Sequence, residues 1–220
     1  MNTALPSRFQ CMKKPLHAVE FHGALKAWSA GPAFGSGSRG RLGAAEPARS
    51  LGIGETTVRR YLDVLDGLFM VRQLQPWHAN LKKRQVKAPK VYFRDSGLLH
   101  QLLGIRSQRD LLSHPKCGAS WEGYAIAESL EAFQPEEAYF WATHNGAGLD
   151  LLLFRRGRRF GVECKRADAP RLTPSMRIAM DDLRLERLLV LYPGDRRYTL
   201  AKGIEAVPLA DLVSRRDRLL

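Results

Sequence analysis

Apolar residues recur along this chain at two different spacings, and each change of spacing marks where an element begins or ends. Between Ala44 and Leu74, Ala48, Leu51 and Ile53 surround Gly52, and Val58, Tyr61, Leu62, Leu65, Leu68 and Phe69 then return at helical intervals. The pattern predicts a short helix, a tight turn and a longer amphipathic helix, with Gly52 suited to a left-handed turn position. Pro47 fits only at the start of the first helix, because a proline further inside would remove a hydrogen bond. Apolar pieces at Phe69–Leu74 and Val91–Phe93 predict two β pieces, and Leu98, Leu99, Leu102 and Leu103 predict a short connecting helix. A polar stretch follows through Pro115, which places a domain boundary near Arg106–Lys116.

Ser120 reads as the N-cap of a further helix, with Trp121, Tyr124, Ala127, Leu130 and Phe133 at helical spacing. Three strand-like runs follow, Ala138–Ala142, Leu149–Phe154 and Arg159–Lys165, the last two separated by a tight turn. A helix over about Pro174–Leu185, an apolar strand Leu188–Tyr192, and a final strand and helix within Tyr198–Val213 complete the pattern. The order α-β-β-β-α-β specifies a mixed α/β fold, a mixed sheet flanked by helices. Residues 1–43 differ, since Gly31–Gly43 is mostly Gly, Ser, Ala and Arg, and they read as a flexible leader. The predicted organisation is therefore a leader (1–43), a helix and hairpin domain (44–105) and an α/β domain (116–220).

Composition narrows the partners. The 220 residues carry 35 Lys and Arg against 22 Asp and Glu, a formal charge of +13 that favours a polyanion, nucleic acid first, over an acidic small substrate. No stretch approaches the roughly 20 apolar residues of a spanning helix, and Met1–Arg8 lacks a signal-peptide core, so the expected location is the cytoplasm, with no membrane partner. The three widely spaced cysteines and six scattered histidines support neither a disulfide framework nor a zinc site. Gly35, Gly37 and Gly40 spell G-x-G-x-x-G without the strand and helix a dinucleotide site needs. There is no G-x-x-x-x-G-K-[ST], so ATP hydrolysis by this chain is not expected.

Thr56, Thr57, Arg59 and Arg60 fall at the exposed start of the second predicted helix, the part of a helix-turn-helix that enters a major groove. Lys82, Lys83, Arg84, Lys87 and Lys90 lie between the two β pieces, as the basic loop of a wing would. Helix start and wing would then share one DNA-facing surface, each phosphate contact adding salt-sensitive affinity. The alternative is a packing module whose lysines form a solvated face.

Asp150 opens the apolar run Leu149–Phe154, where an unpaired carboxylate is costly to bury and requires a partner. In the next strand, alternation sends Phe160, Val162 and Cys164 to one face and Gly161, Glu163 and Lys165 to the other. A short hairpin would bring Asp150 to the patch of Glu163 and Lys165. Two hard carboxylates suit Mg²⁺, as ligands Asp150 and Glu163, with Lys165 beside the ion to orient water or stabilise charge. An ordinary Glu–Lys cross-strand pair is the alternative.

These residues resemble the PD-(D/E)xK, or restriction-endonuclease-like, superfamily: Asp150, then Glu163-Cys164-Lys165, after a helix bearing Glu122. From about Ala44 to Val213, with "SLGIGETTVRRYLDVLDGLFMVRQLQPWHANLKKRQVKAPKVYFRDSGLLH", "ASWEGYAIAESL" and "GVECKR", the chain is similar to the C-terminal region of bacterial AAA-type ATPases that carry a domain of unknown function. The resemblance implies a winged helix followed by a nuclease-like domain, with Asp150 and Glu163 as metal ligands, Lys165 as catalytic lysine and Glu122 as an auxiliary acid. It also implies DNA and an ATPase or other protein as partners. The chain departs from the pattern at Gly148-Leu149-Asp150, where relatives carry Glu-Leu-Asp, and it lacks the ATPase module. A magnesium-dependent nuclease, a non-catalytic DNA- or protein-binding module and an inactive remnant are the readings this leaves.

Overall fold

The computed structural model describes residues 48–49, 52–77, 88–143 and 146–214. Residues 1–43, taken above as a leader, and the basic residues Lys82, Lys83, Arg84 and Lys87 lie outside the described residues. Helix α1 (Glu55–Gly67) buries Val58, Leu62 and Leu65, a stripe at i, i+4 and i+7. Gly52 stands before it with φ 64°, and the Ile53 amide donates to the Ala48 carbonyl at 3.0 Å, which closes the expected turn. Leu68 and Phe69 leave the predicted stripe: α1 has ended, and they are 52% and 72% exposed. Phe69, at φ 59°, turns the chain back and lays its ring 5.2 Å from the Arg94 guanidinium, so it belongs to a turn and to neither helix nor strand.

Strand β1 (Val71–Leu74) pairs antiparallel with β2 (Lys90–Phe93), with Val71 opposite Phe93 and Leu74 opposite Lys90. Val71, Val91 and Phe93 pack on the α1 stripe and on Leu99 of α2 (Ser96–Leu102), whose first amides are capped by Asp95. The polar stretch after α2 contains a further helix, α3 (Gln108–Ser113), begun where the Asp110 amide donates to the Ser107 hydroxyl. A side-chain cap starts this helix without any apolar period to announce it.

Helix α4 (Cys117–Phe133) begins three residues before Ser120. Ser120 is buried within its first turns and bonds His100 Nε2 at 2.7 Å, which corrects its reading as an N-cap. The buried face runs through Glu122, Ala125, Ile126, Ser129 and Phe133, whereas Tyr124 is 43% exposed. Small side chains at Ala125 and Ser129 allow close approach to the sheet, and they share the contact face with Ile126 and Phe133 while Tyr124 points away from it.

The main sheet comprises β3 (Glu137–Ala142), β4 (Gly148–Arg155), β5 (Arg158–Cys164), β6 (Arg187–Tyr192), β7 (Tyr198–Ala201) and β8 (Ile204–Pro208), in the order β3-β4-β5-β6-β8-β7. The β3–β4, β4–β5 and β7–β8 pairs are antiparallel, and β5–β6 and β6–β8 are parallel, so the fold is the mixed α/β one expected. What was read as one final strand is two, β7 and β8. The β4–β5 hairpin closes through Arg156 and Gly157 at φ 50° and 72°, the positive pair that a type I′ turn requires.

Helix α4 and α6 (Leu209–Ser214) cover one face of the sheet over Leu151, Leu153, Val162, Leu189 and Leu191, while α5 (Pro174–Leu183) covers the other over Leu149, Leu152, Leu188 and Val190. Beyond β1, Gln75 and Trp77 bond the Phe140 amide and carbonyl at 3.0 and 2.7 Å, so the hairpin's continuation covers the edge strand β3. Leu189 is fully buried at the centre of the sheet. Leu189→Ala is expected to cost about 2–5 kcal/mol, seen as a lower urea midpoint with an unchanged m-value.

Candidate active site

A β-bulge creates the site. Tyr139 pairs with Leu152 and Trp141 with Leu149, so Phe140 alone faces both Asp150 and Leu151. The extra residue bends β4 and re-aims its side chain. On the other side, the β4–β5 ladder runs only as far as Leu151 opposite Val162. Asp150 therefore does not form the regular cross-strand pair with Glu163 that a continued hairpin would give. Its carboxylate takes the place of the missing ladder bond: the Cys164 amide donates to Asp150 Oδ2 at 3.0 Å.

Two residues of β2 complete the inner side of the cluster. Alternation puts Lys90 and Tyr92 on one face of that strand, and both reach Glu122 on α4. Lys90 Nζ donates to Glu122 Oε1 at 2.9 Å and to Asp150 Oδ1 at 3.1 Å, while Tyr92 Oη donates to Glu122 Oε1 at 2.6 Å. The ammonium also lies 5.6 Å from the centre of the Phe140 ring. Burial opposes the Lys90 charge, but Asp150, Tyr92 and Glu122 outweigh it and hold the lysine protonated well above its ordinary range. Burial, and then the Asp150 charge, push the Glu122 carboxyl up.

The outer side is the Glu163–Lys165 pair, in which Lys165 Nζ donates to Glu163 Oε1 at 2.6 Å. Val162 and Cys164 pack in the core under α4, so the pleat sends Glu163 the other way, and its proximity to Asp150 arises at the frayed end of the ladder. Burial, followed by the charge of Asp150, raises the Glu163 carboxyl to about 7. Lys165 stays protonated above its usual range because Glu163 more than offsets the cost of burial, and its side chain is 39% exposed.

Asp150, Glu163 and Lys165 lie at one end of the sheet, and Glu122 is tied to Asp150 through Lys90. Lys90 itself is corrected: it is engaged by the buried Glu122 and the partly buried Asp150 and is not open to a DNA phosphate. Sequence reasoning missed Tyr92 entirely. The signal was present, since Lys90 and Tyr92 stand two apart in a strand and so share a face. Elsewhere, Thr56, Arg59 and Arg60 are exposed on α1 and Thr57 is half-buried, some distance along the chain from this cluster.

Burial and the charge of Asp150 raise the proton affinity of Glu163, and both carboxylates are hard oxygen donors of the kind a divalent cation takes. Among the described residues no three His, Cys, Asp or Glu side chains form a closed cage, and Mg²⁺ with its retained waters does not demand one. Asp150 and Glu163 are the donor type this ion takes, with Lys90 and the Cys164 amide already on the two oxygens of Asp150.

Comparison with known proteins adds relatives but no activity. Residues 31–109 match the domain of unknown function DUF8612, and residues 117–212 match the domain of unknown function DUF4143. Over 170 residues the chain is 46% identical to the uncharacterized protein Rv2008c of Mycobacterium tuberculosis and equally to the uncharacterized protein Mb2031c of Mycobacterium bovis. The aligned part is 77% of this chain but 38% of each relative, so the chain spans well under half their length. No solved structure matches.

Two outcomes follow from the charges. Lys90→Met leaves Glu122 and Asp150 buried without their cation and is expected to cost about 3–5 kcal/mol in urea unfolding. Glu163 keeps its proton to about pH 7 when folded and releases it near 4.5 when unfolded. The folded state therefore binds more protons across that window and loses stability as pH rises through it. Melting temperatures without divalent ions should fall between pH 4.5 and 7 in the parent chain and stay flatter in Glu163→Gln.

Proposed function

We propose that this chain is a DNA-binding protein whose α/β domain is nuclease-like and hydrolyses phosphodiester bonds with Mg²⁺ held by Asp150 and Glu163. The observation that carries the reading is the placement of Asp150 and Glu163 at one end of the sheet, Asp150 held by the Cys164 amide and Glu163 bonded to the partly exposed Lys165. The resemblance of Asp150 and Glu163-Cys164-Lys165 to the PD-(D/E)xK pattern, carried by these same residues, points the same way. When bound, the ion supplies Lewis acidity and a water of lowered pKa. The chain supplies the rest. Lys165 points a cation at the place where phosphate charge develops. Glu122, fixed by Tyr92 and Lys90, acts as a positioning acid that sets the lysine holding Asp150 Oδ1.

In this reading α1 and the hairpin after it are a winged helix. The exposed Thr56, Arg59 and Arg60, with the half-buried Thr57, meet the major groove, and Lys82, Lys83, Arg84 and Lys87 add phosphate contacts. The setting is cytoplasmic, and an AAA-type ATPase or another protein is the expected protein partner.

One observation favours a second reading, a non-catalytic DNA- or protein-binding module. Lys90 already neutralises Asp150, and Gly148, which departs from the acid of the pattern this chain resembles, is locked by Ser175 Oγ, which accepts from its amide at 2.9 Å and donates to its carbonyl at 2.8 Å.

Incubating the protein with plasmid and short duplexes in Mg²⁺ or Mn²⁺ decides between them. Cleavage that disappears in Asp150→Ala and Glu163→Ala supports hydrolysis, and parent activity no higher than that of these variants leaves the binding module. Independently of cleavage, replacing Arg59 and Arg60 by Ala should weaken duplex binding at all sequences and reduce the salt slope by about 2. An unchanged slope would remove α1 from the DNA interface.

A further inference from the structure

Beside the acidic cluster lies a cavity of about 630 Å³ that the proposed chemistry does not use. It opens at the carboxyl ends of the parallel strands β5 and β6: Arg166 and Asp168 continue from β5, Pro193 continues from β6, and the first turns of α4 form the opposite wall. The crevice outside the carboxyl ends of parallel strands is where open α/β sheets take their ligands. Arg166 follows Lys165 directly, so a molecule in the cavity would sit next to the Glu163–Lys165 pair.

The walls have a definite chemistry. Most of the lining is apolar, and Tyr124 presents a ring that is 43% exposed instead of packing under α4. Trp121 adds a second aromatic, and its indole N–H is buried without a hydrogen-bond partner among the described residues. The Ser120 hydroxyl and His100 Nε2, 2.7 Å apart, place further hydrogen-bonding groups at the wall. Burial, and then His114, lower the His100 pKa, which keeps its ring neutral at pH 7. The exposed Arg166 supplies a cation at the rim, and Asp168 on the same rim makes the cavity a poor trap for anions in general. Aromatic surface, the polar Ser120–His100 pair at the wall and one cation at the rim suit a heteroaromatic ring with hydrogen-bonding groups on its edge, attached to one phosphate.

We propose that this cavity receives one unpaired nucleotide of a DNA strand, its base against Tyr124 and its phosphate toward Arg166. The inference rests on the DNA-binding reading above and deepens it by naming the substrate class. A base held in a duplex cannot fill the cavity, because its faces are stacked and its edge is paired, whereas an unpaired base offers both. The protein should therefore prefer DNA with a single-stranded extension over a blunt duplex, with the extension entering beside Lys165.

The test uses the full chain in EDTA, so that hydrolysis plays no part. Fluorescence anisotropy compares a labelled blunt duplex with the same duplex carrying a short single-stranded adenine extension. The extended duplex is expected to bind roughly tenfold more tightly, the gain of stacking about one base. Tyr124→Ala should erase that preference while leaving blunt-duplex affinity and melting temperature unchanged, and Tyr124→Phe should keep it. Equal affinity of the parent for the two DNAs, or a preference that survives Tyr124→Ala, would overturn the proposal. Absence of cleavage in Mg²⁺ would count against hydrolysis alone, whereas absence of binding to either DNA would remove the DNA-binding reading and this inference together.

Discussion

One buried ammonium organises the centre of this molecule. Lys90 leaves the hairpin and ends between a carboxylate on α4 and another on β4, each within about 3 Å of Nζ. Taking two carboxylates out of water is expensive, and removing their shared cation would leave both uncompensated. The relative placement of β2, α4 and the bulge in β4 is therefore fixed by charge as well as by apolar contact. Tyr92 reinforces it, because its hydroxyl satisfies Glu122 from the same strand face. The hairpin domain and the α/β domain, separable on paper, are joined at the point where the candidate site lies.

The same constraint explains why the site is asymmetric. Asp150 is bound on its inner side by Lys90 and at the strand edge by the Cys164 amide, so its position is set before anything approaches from outside. Glu163, bonded to Lys165 alone among the described side chains, carries the raised proton affinity. One carboxylate is thus held in place, and the other is poised to change its protonation or its partner near neutral pH. An arriving cation would act mainly on the second. Any ion taken up between them would also have to coexist with a lysine already on Asp150 Oδ1, which places the two readings of function in direct electrostatic competition.

What the sequence made legible was local. A two-residue period put Glu163 and Lys165 on one side of a strand, and a helical period found the buried stripe of α1. Gly52 announced its own turn. Each of these depends on residues within a few positions of one another. The misreadings came where a contact beyond the local window decides. Lys90 looked like the last member of a basic run, because nothing near it in the chain reveals carboxylates 32 and 60 positions away. Ser120 looked like a cap until α4 began at Cys117 and His100 claimed its hydroxyl. Tyr124 looked like core because it is large and aromatic, yet the sheet selected the smaller Ala125 and Ser129.

The displaced helix face has a consequence of its own. Had α4 packed through Tyr124, that ring would have vanished into the core and left the carboxyl ends of β5 and β6 without it. Rotating the helix to bury Glu122 and Ala125 does two things at once: it delivers an acid to Lys90 and turns Tyr124 outward over the cavity. The ionic lock and the aromatic wall are therefore two results of one packing choice. Weakening the lock should loosen the wall as well, because both depend on the rotation of the same helix about its axis.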